Sequence, residues 1–128
     1  MILITGASGF IGSCLVRELN FKGINDLILV DHEGPEIPNL KKANYHSFIK
    51  ASELFSNEKN WENLECVFHM GACSSTTEQN WDYLEENNLN YSKKIFELCS
   101  RHQIKLIYAS SAATYGDGEQ GYDDSHEL

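Results

Sequence analysis

Proline is almost absent: the chain has two, Pro35 and Pro38, and both fall in His32-Glu33-Gly34-Pro35-Glu36-Ile37-Pro38. That stretch cannot be regular helix and reads as a surface loop. Positive charge is also scarce, with 10 Lys and Arg against 19 Asp and Glu and a formal net charge of −9. Such a deficit argues against nucleic acid or an acidic membrane surface as partner, because phosphate-rich surfaces demand clustered cations. Any phosphate bound here is to be held by backbone N–H groups and a few local cations. No apolar run approaches the ~20 residues of a membrane span. The first apolar run starts at Met1 with no basic segment ahead of it, so no signal peptide is expected. The cysteines, Cys14, Cys66, Cys73 and Cys99, show no C-x-x-C spacing and no zinc-like grouping with the histidines. No metal site is expected, and the thiols read as those of a reduced, cytoplasmic protein.

What is present organises itself around Ile4-Thr5-Gly6-Ala7-Ser8-Gly9-Phe10-Ile11-Gly12. Met1 to Thr5 is short and apolar and meets Gly6 at once, as a buried parallel strand does, while Ile11, Leu15 and Leu19 recur at helical spacing. Gly6, Gly9 and Gly12 therefore mark a strand-to-helix turn. Such a turn leaves the first N–H groups of the helix unpaired at the positive end of its dipole, which suits a phosphate or pyrophosphate. One glycine permits the tight turn, one removes a Cβ that would hold a phosphate away, and Gly12 lets helix and strand approach. Asp31 follows Gly12 by 19 residues, at the end of a second apolar run, Leu27-Ile28-Leu29-Val30. There a dinucleotide fold places the carboxylate that binds a ribose hydroxyl. An ordinary strand–helix turn without a ligand shows the same glycines, but not the second strand and its acid in register.

The remaining chain alternates strand and helix. A helix is expected from about Phe10 to Asn20, a strand from Asp26 to Asp31, a short strand from Tyr45 to Ile49, and a short helix from Ser52 to Trp61. Cys66-Val67-Phe68 reads as a fourth strand, broken by the polar run Gly71 to Glu78. From Gln79 to His102 the pattern is helical, with Leu84, Tyr91, Ile95 and Leu98 in one stripe and Leu89, Phe96 and Cys99 in an adjacent one, which predicts a wide buried face. A fifth strand from Ile104 to Ala109 leads into Ser110 to Gly116. These elements predict an α/β fold, a doubly wound parallel Rossmann sheet with helices on both faces, over residues 1–116, followed by a truncated acidic loop over 117–128. At 128 residues the chain is one domain by length and short for a dinucleotide enzyme, which adds a region for its substrate. Ligands of such sheets bind beyond the carboxyl ends of the strands, where the glycine turn, the Gly71 to Thr77 loop and the Ser110 to Gly116 loop all lie.

The opening Thr5 to Gly12 resembles the Thr-Gly-x-x-Gly-Phe-Ile-Gly of the extended short-chain dehydrogenase/reductase superfamily. Within it, Phe68-His69-Met70-Gly71-Ala72-Cys73-Ser74-Ser75-Thr76-Thr77-Glu78, Asn87-Asn88 with Tyr91-Ser92-Lys93, and Tyr108 to Gly116 together resemble the ADP-L-glycero-D-manno-heptose 6-epimerases. The resemblance implies a cytoplasmic enzyme that inverts an ADP-activated heptose at C6 for the inner core of lipopolysaccharide, with a tightly held NADP that takes a hydride and returns it to the other face. It also implies a homo-oligomer for the full-length enzyme. By position, Phe10 and Ile11 are assigned to the pyrophosphate with Gly6, Gly9 and Gly12 in the turn, and Asp31 with His32 to the adenosine ribose. Met70, Gly71, Ala72, Cys73 and Ser74 are assigned to the cofactor wall, with Asn87 approaching from the long helix. Ser111 matches the catalytic-site serine, and Ser75 and Ser111 are the expected substrate contacts.

Several of these residues have plainer alternatives. Asn87 can bridge within its helix, Cys73 can be a small packing group, His69 a satisfied core histidine, and Glu78 the start of a helix. Tyr115 reads as structural or substrate-lining. The sequence also departs from the family pattern twice. After Asp31 the acids Glu33 and Glu36 stand where a lysine meets the 2′-phosphate of NADP, leaving Lys41, Lys42 or Lys50 for that role and NAD as the alternative cofactor. No Tyr-x-x-x-Lys follows Gly116, so the proton-transferring pair is absent and the chain is expected to be inactive alone, as an N-terminal portion of a longer enzyme. A non-catalytic dinucleotide-binding module and a sister 4-epimerase or 4,6-dehydratase remain the alternatives.

Overall fold

The computed structural model describes residues 1–75, 77–119 and 121–122. Five strands, β1 (Ile2–Thr5), β2 (Leu27–Asp31), β3 (Ser47–Lys50), β4 (Cys66–His69) and β5 (Lys105–Tyr108), form one sheet in the order β3-β2-β1-β4-β5. Every pairing is parallel. β1 lies at the centre, with Thr5 opposite Val30 on one side and His69 on the other. Strand order reverses between β1 and β4, so a crevice opens at the carboxyl ends of these two strands.

Alternation along each strand splits the core between two faces. Leu3, Val30 and Val67 pack with Leu54, Trp61 and Ile95, whereas Ile4, Leu27 and Leu29 pack with Val16, Leu19 and Leu40. The second face belongs to helix α1 (Phe10–Phe21), which ends in a Schellman closure: Gly23 (φ 80) donates to Asn20 O and Ile24 to Leu19 O. The first face is covered by the connection from β3 to β4 and by the long helical segment after β4.

That β3–β4 connection is expected as a short helix but forms two 3₁₀ segments, Ala51–Ser56 and Glu58–Trp61. Asn57 between them is extended (φ −139, ψ 116), and its side chain accepts from Lys59 N, so a cap restarts the turn instead of letting it continue. The long helical segment starts at Trp81, with the Asn80 side chain accepting from Tyr83 N, and comprises α2 (Trp81–Leu84), a π turn (Glu85–Asn90) and α3 (Tyr91–His102). Ile95 and Cys99 are buried as expected, but Phe96 is 64% and Leu89 46% exposed. The expected wide face is thus narrower. Phe96 is rotated about 100° from Ile95 on an α-helix, and the π turn changes the phase at Leu89. After β5 comes a 3₁₀ turn, Ala112–Tyr115. The expected acidic loop is described for Asp117 to Glu119, Gly121 and Tyr122; its other residues lie outside the described ones.

Gly6 is where the ends of β1 and β4 approach without room for a side chain. Its φ is +67, and a Cβ there would stand 2.7 Å from Gly71 Cα, whereas Gly23, also left-handed, has nothing within 4 Å of its missing Cβ. Gly6→Ala is therefore expected to cost about 2–4 kcal/mol, strain and overlap together, against about 1–2 kcal/mol for Gly23→Ala, which carries strain alone. Thermal unfolding of the two variants checks this. Equal losses would show that the approach of Gly6 to Gly71 is not close-packed in solution.

Candidate functional site: a crevice at the strand-order reversal

The crevice between the ends of β1, β2 and β4 is a cleft of about 700 Å³, within the usual range for small-molecule sites. Its first wall is the glycine turn. Gly9 N donates to Gly6 O, and Ser13 N donates to Gly9 O as the first helical bond. Gly9, extended at φ −68 and ψ 173, is the N-cap and offers no side chain to the N–H groups that follow. Those of Phe10, Ile11 and Gly12 thus lack intrahelical carbonyls and stand at the positive end of the α1 dipole. Gly12 is buried under the turn, where a Cβ would collide with Gly6 O.

The second wall is the end of β2. Asp31 is half-buried, and both its oxygens are held by backbone: Ser8 N donates to Oδ2 at 2.8 Å and His32 N to Oδ1 at 2.7 Å. The carboxylate is pinned opposite the glycine turn, with lone pairs left to accept from a hydroxyl. Asn39 Nδ2 donates to Ser8 O at 2.9 Å, anchoring the loop after β2 to the same turn. Ser8 is itself buried, and its Oγ has no hydrogen-bond partner among the described residues. An orphan hydroxyl beside free helix N–H groups fits a ligand rich in oxygen acceptors.

The third wall is the segment after β4, where Met70, Gly71, Ala72, Cys73 and Ser74 all line the cleft. Two side chains hold it. Gly71 N donates to Thr5 Oγ1 at 3.1 Å, and Asn88 of the π turn clasps Cys73, accepting from its N at 2.7 Å and donating to its O at 3.0 Å. Asn87 also lines the cleft while donating to Tyr83 O at 2.8 Å, so the within-helix bridge leaves it at the cleft wall. Cys73 is a wall residue held by its backbone. His69, closing β4, is buried and hydrogen-bonded on both ring nitrogens, as a satisfied core histidine is. Burial pushes its pKa below the ordinary 6.5.

Phe10, Ile11, Asp31 and His32 line the cleft as expected, with Gly6, Gly9 and Gly12. Lys50 does not: it pairs with Asp31 in the sheet register, yet its side chain is exposed outside the lining set. Ser75 and Ser111 also stand outside the lining. Ser75 Oγ is bonded to Thr77 Oγ1 at 3.0 Å, and Ser111 Oγ accepts from Ala113 N at 3.2 Å as the cap of the following 3₁₀ turn. Thr76, between Ser75 and Thr77, lies outside the described residues. Among the residues that line the cleft there is no lysine or arginine.

Tyr91, Tyr83, Asn39 and Ser8 belong to the cleft and were not singled out by sequence as contacts. Ser8 stands within the glycine motif, and Tyr91 within the Tyr91-Ser92-Lys93 motif. The Tyr91 hydroxyl donates to Ala51 O at 3.3 Å, and its pKa is raised by burial first and then by the negative charge of Asp31. Among the described residues, no group of His, Cys, Asp and Glu is placed to hold a metal, and no helix is long and apolar enough to cross a membrane.

Comparison with known proteins agrees with this architecture. Residues 2–128 match the model of the NAD dependent epimerase/dehydratase family. An ADP-L-glycero-D-manno-heptose-6-epimerase of Fusobacterium nucleatum is 46% identical over 97% of this chain and 39% of its own length. Among solved structures, the Helicobacter pylori ADP-L-glycero-D-manno-heptose-6-epimerase superposes with a TM-score of 0.73 at 28% identity, covering 91% of this chain and 40% of that one. A UDP-glucuronic acid 4-epimerase of Bacillus cereus, in complex with NAD, gives 0.76 at 26% identity, covering 91% and 41%. The chain therefore spans about two fifths of the length of these relatives. With a family match over nearly its whole length and the crevice built as a parallel sheet requires, the chain belongs to the NAD dependent epimerase/dehydratase family.

Proposed function

We propose that this chain is the cofactor-holding part of an epimerase that inverts C6 of an ADP-activated heptose, in the supply of sugar for lipopolysaccharide inner core. The observation that carries the cofactor half of this proposal is Asp31, pinned by Ser8 N and His32 N across the cleft from the unpaired N–H groups of α1. A carboxylate at that distance along a Rossmann sheet accepts from ribose hydroxyls while the helix N-terminus takes the pyrophosphate. The heptose half rests on the Gly71 to Glu78 run and on the 46% identity to a heptose 6-epimerase. The four cysteines are free thiols, and Cys99 is kept unreactive by burial and by the neighbouring Cys66, which push its pKa up to about 11.

A nicotinamide, when bound, would supply reversible hydride acceptance for C6. This chain's own residues position that ring and exclude water. Phe10 and Ile11 present backbone N–H groups, Asp31 orients the ribose, and Met70 to Ser74 close the far side. Ser111 is proposed to meet the sugar once substrate is present, and Ser75 likewise; both residues are exposed and stand outside the cleft.

For the cofactor we propose NAD in place of the expected NADP. Asp31 and Glu33 line the ribose end and Lys50 does not, so a 2′-phosphate would meet fixed negative charge with no lining cation. Titration of the chain with both dinucleotides is expected to give at least tenfold tighter NAD binding, and Asp31→Asn is expected to narrow that ratio. Equal affinity, or tighter NADP, contradicts the assignment. Because no Tyr-x-x-x-Lys follows Gly116, the 128-residue chain is expected to bind the dinucleotide yet to show no epimerase turnover on ADP-heptose. Measured turnover would mean that other groups transfer the proton.

A further inference from the structure

The two residues that hold the Gly71–Cys73 wall, Thr5 and Asn88, are joined through one buried ring and Ser92, the link reaching Asn88 at its main-chain carbonyl. Thr5 Oγ1 lies 2.6 Å from His69 Nδ1, and His69 Nε2 lies 2.8 Å from Ser92 Oγ. Ser92 Oγ donates onward to Asn88 O at 2.6 Å. A hydroxyl has one proton to give. Ser92 spends its own on Asn88 O, so toward the ring it accepts, and Nε2 carries the imidazole proton. Nδ1 is then the acceptor, and Thr5 donates to it while accepting from Gly71 N. The proton directions are thereby fixed from end to end: Gly71 N–H to Thr5, Thr5 to His69, His69 to Ser92, and Ser92 to Asn88, whose amide clasps Cys73.

We propose that His69, with its proton on Nε2, is a positioning residue of the cleft: through Thr5 at one end and Ser92 with Asn88 at the other, it sets the Gly71–Cys73 wall against the glycine turn. The role rests on the dinucleotide assignment for its consequence but not for its geometry. Nothing else in the chain of bonds tolerates a reversal. A second proton on Nδ1 would leave the Thr5 hydroxyl without its acceptor, in a place where an unmet donor is costly. The titratable groups whose rings face His69 are phenols, Tyr91 of α3 at 6.1 Å and Tyr108 of β5 at 5.8 Å between ring centroids. Neither offers a carboxylate to favour the imidazolium. Burial acts in the same direction, lowering the pKa from 6.5. A base whose folded pKa is depressed adds stability that is present above pH 6.5 and is lost as pH falls from there toward the folded value.

The test uses the 128-residue chain and its Ser92→Ala, Ser92→Thr and His69→Gln variants. Amide hydrogen exchange at Gly71 and Cys73, compared with amides of β1 and β2, reads the wall directly, and NAD titration reads the consequence. Ser92→Ala is expected to speed exchange at Gly71 and Cys73 at least tenfold without a like change in the strands, and to weaken NAD binding about three- to tenfold. Ser92→Thr, which keeps a hydroxyl, is expected to restore both within about twofold. Nitrogen-15 shifts should report the Nε2–H tautomer in the wild type. NAD affinity should fall with pH below 6.5 more steeply in the wild type than in His69→Gln. Exchange at the wall unchanged by Ser92→Ala, a strand-wide loss of protection, or an Nδ1–H tautomer would each overturn the positioning role. Failure of the wild type to bind NAD, with the exchange results as expected, would instead remove the cofactor assignment and leave the tie between His69 and the wall in place.

Discussion

The site depends on two backbones meeting without side chains between them. Gly6 follows β1 and Gly71 comes after β4, and the missing Cβ atoms at both positions are what let the two segments touch: a Cβ on Gly71 would stand 3.0 Å from Gly6 N. These strands are neighbours at the reversal of strand order, where a parallel sheet leaves its crevice. Were either residue larger, the wall at Met70 to Ser74 would be pushed off the glycine turn, and the cleft would open into a groove. The contact also explains why Thr5 is the residue just before the turn. Its Oγ1 is short enough to stay under Gly71 and polar enough to take the N–H that the close approach would otherwise bury unpaired.

Around that contact the structure divides its labour between faces. α1 presses Val16 and Leu19 onto β1 and β2, and its buried Gly12 sets how near the helix N-terminus sits to the turn. The other face carries Trp61, Ile95 and the aromatic group of Phe55 and Tyr91, whose rings meet edge to face at 4.8 Å. Tyr91 then reaches the cleft from this core, so packing on the α3 side and the shape of the site are not independent. Burial of some ten apolar side chains on this face anchors the π turn, and the π turn aims Asn88 at Cys73. Such turns interrupt helices where a side chain has a task that regular spacing cannot meet.

Much of this was legible in the sequence, and the reason is distance along the chain. The strand, glycines, helix and acid from Ile2 to Asp31 form one local unit whose conformation follows from φ preferences and periodicity, and their placement holds throughout the cleft. The failures have nonlocal causes. Leu89 and Phe96 are expected inward on one wide stripe, yet Phe96 lies about 100° from Ile95, and the π turn, in which Asn88 bonds a loop 15 residues away, shifts Leu89. Lys50 is one of three lysines the sequence leaves to meet a 2′-phosphate; the register brings it level with Asp31, but register fixes height along the sheet and not where a long, flexible side chain rests. Ser111 is named by a motif alone, which does not show that its hydroxyl also caps the turn after β5. The cysteines and His69 were weighed one at a time, so the bonds linking His69 to Thr5 and Ser92 were out of reach.

Those bonds give His69 a meaning that neither of its simpler interpretations contains. A histidine that acts as acid or base must exchange its proton at the site, and this one is sealed between two hydroxyls that fix the proton's direction. A histidine that merely fills space would be replaceable by an apolar ring, which would strand Thr5 and Ser92 with unmet hydrogen bonds at the end of the central strand. The imidazole suits the position because it is the one aromatic ring able to donate at one edge and accept at the other while remaining neutral. Neutrality matters to the neighbouring site as well. A dinucleotide brings two negative charges to the α1 N-terminus, and a nearby charge that switched within the working pH range would make its affinity follow acidity. Burial of His69 removes that dependence above pH 6.5 and leaves the helix dipole and the Asp31 carboxylate as fixed features of the cleft's field.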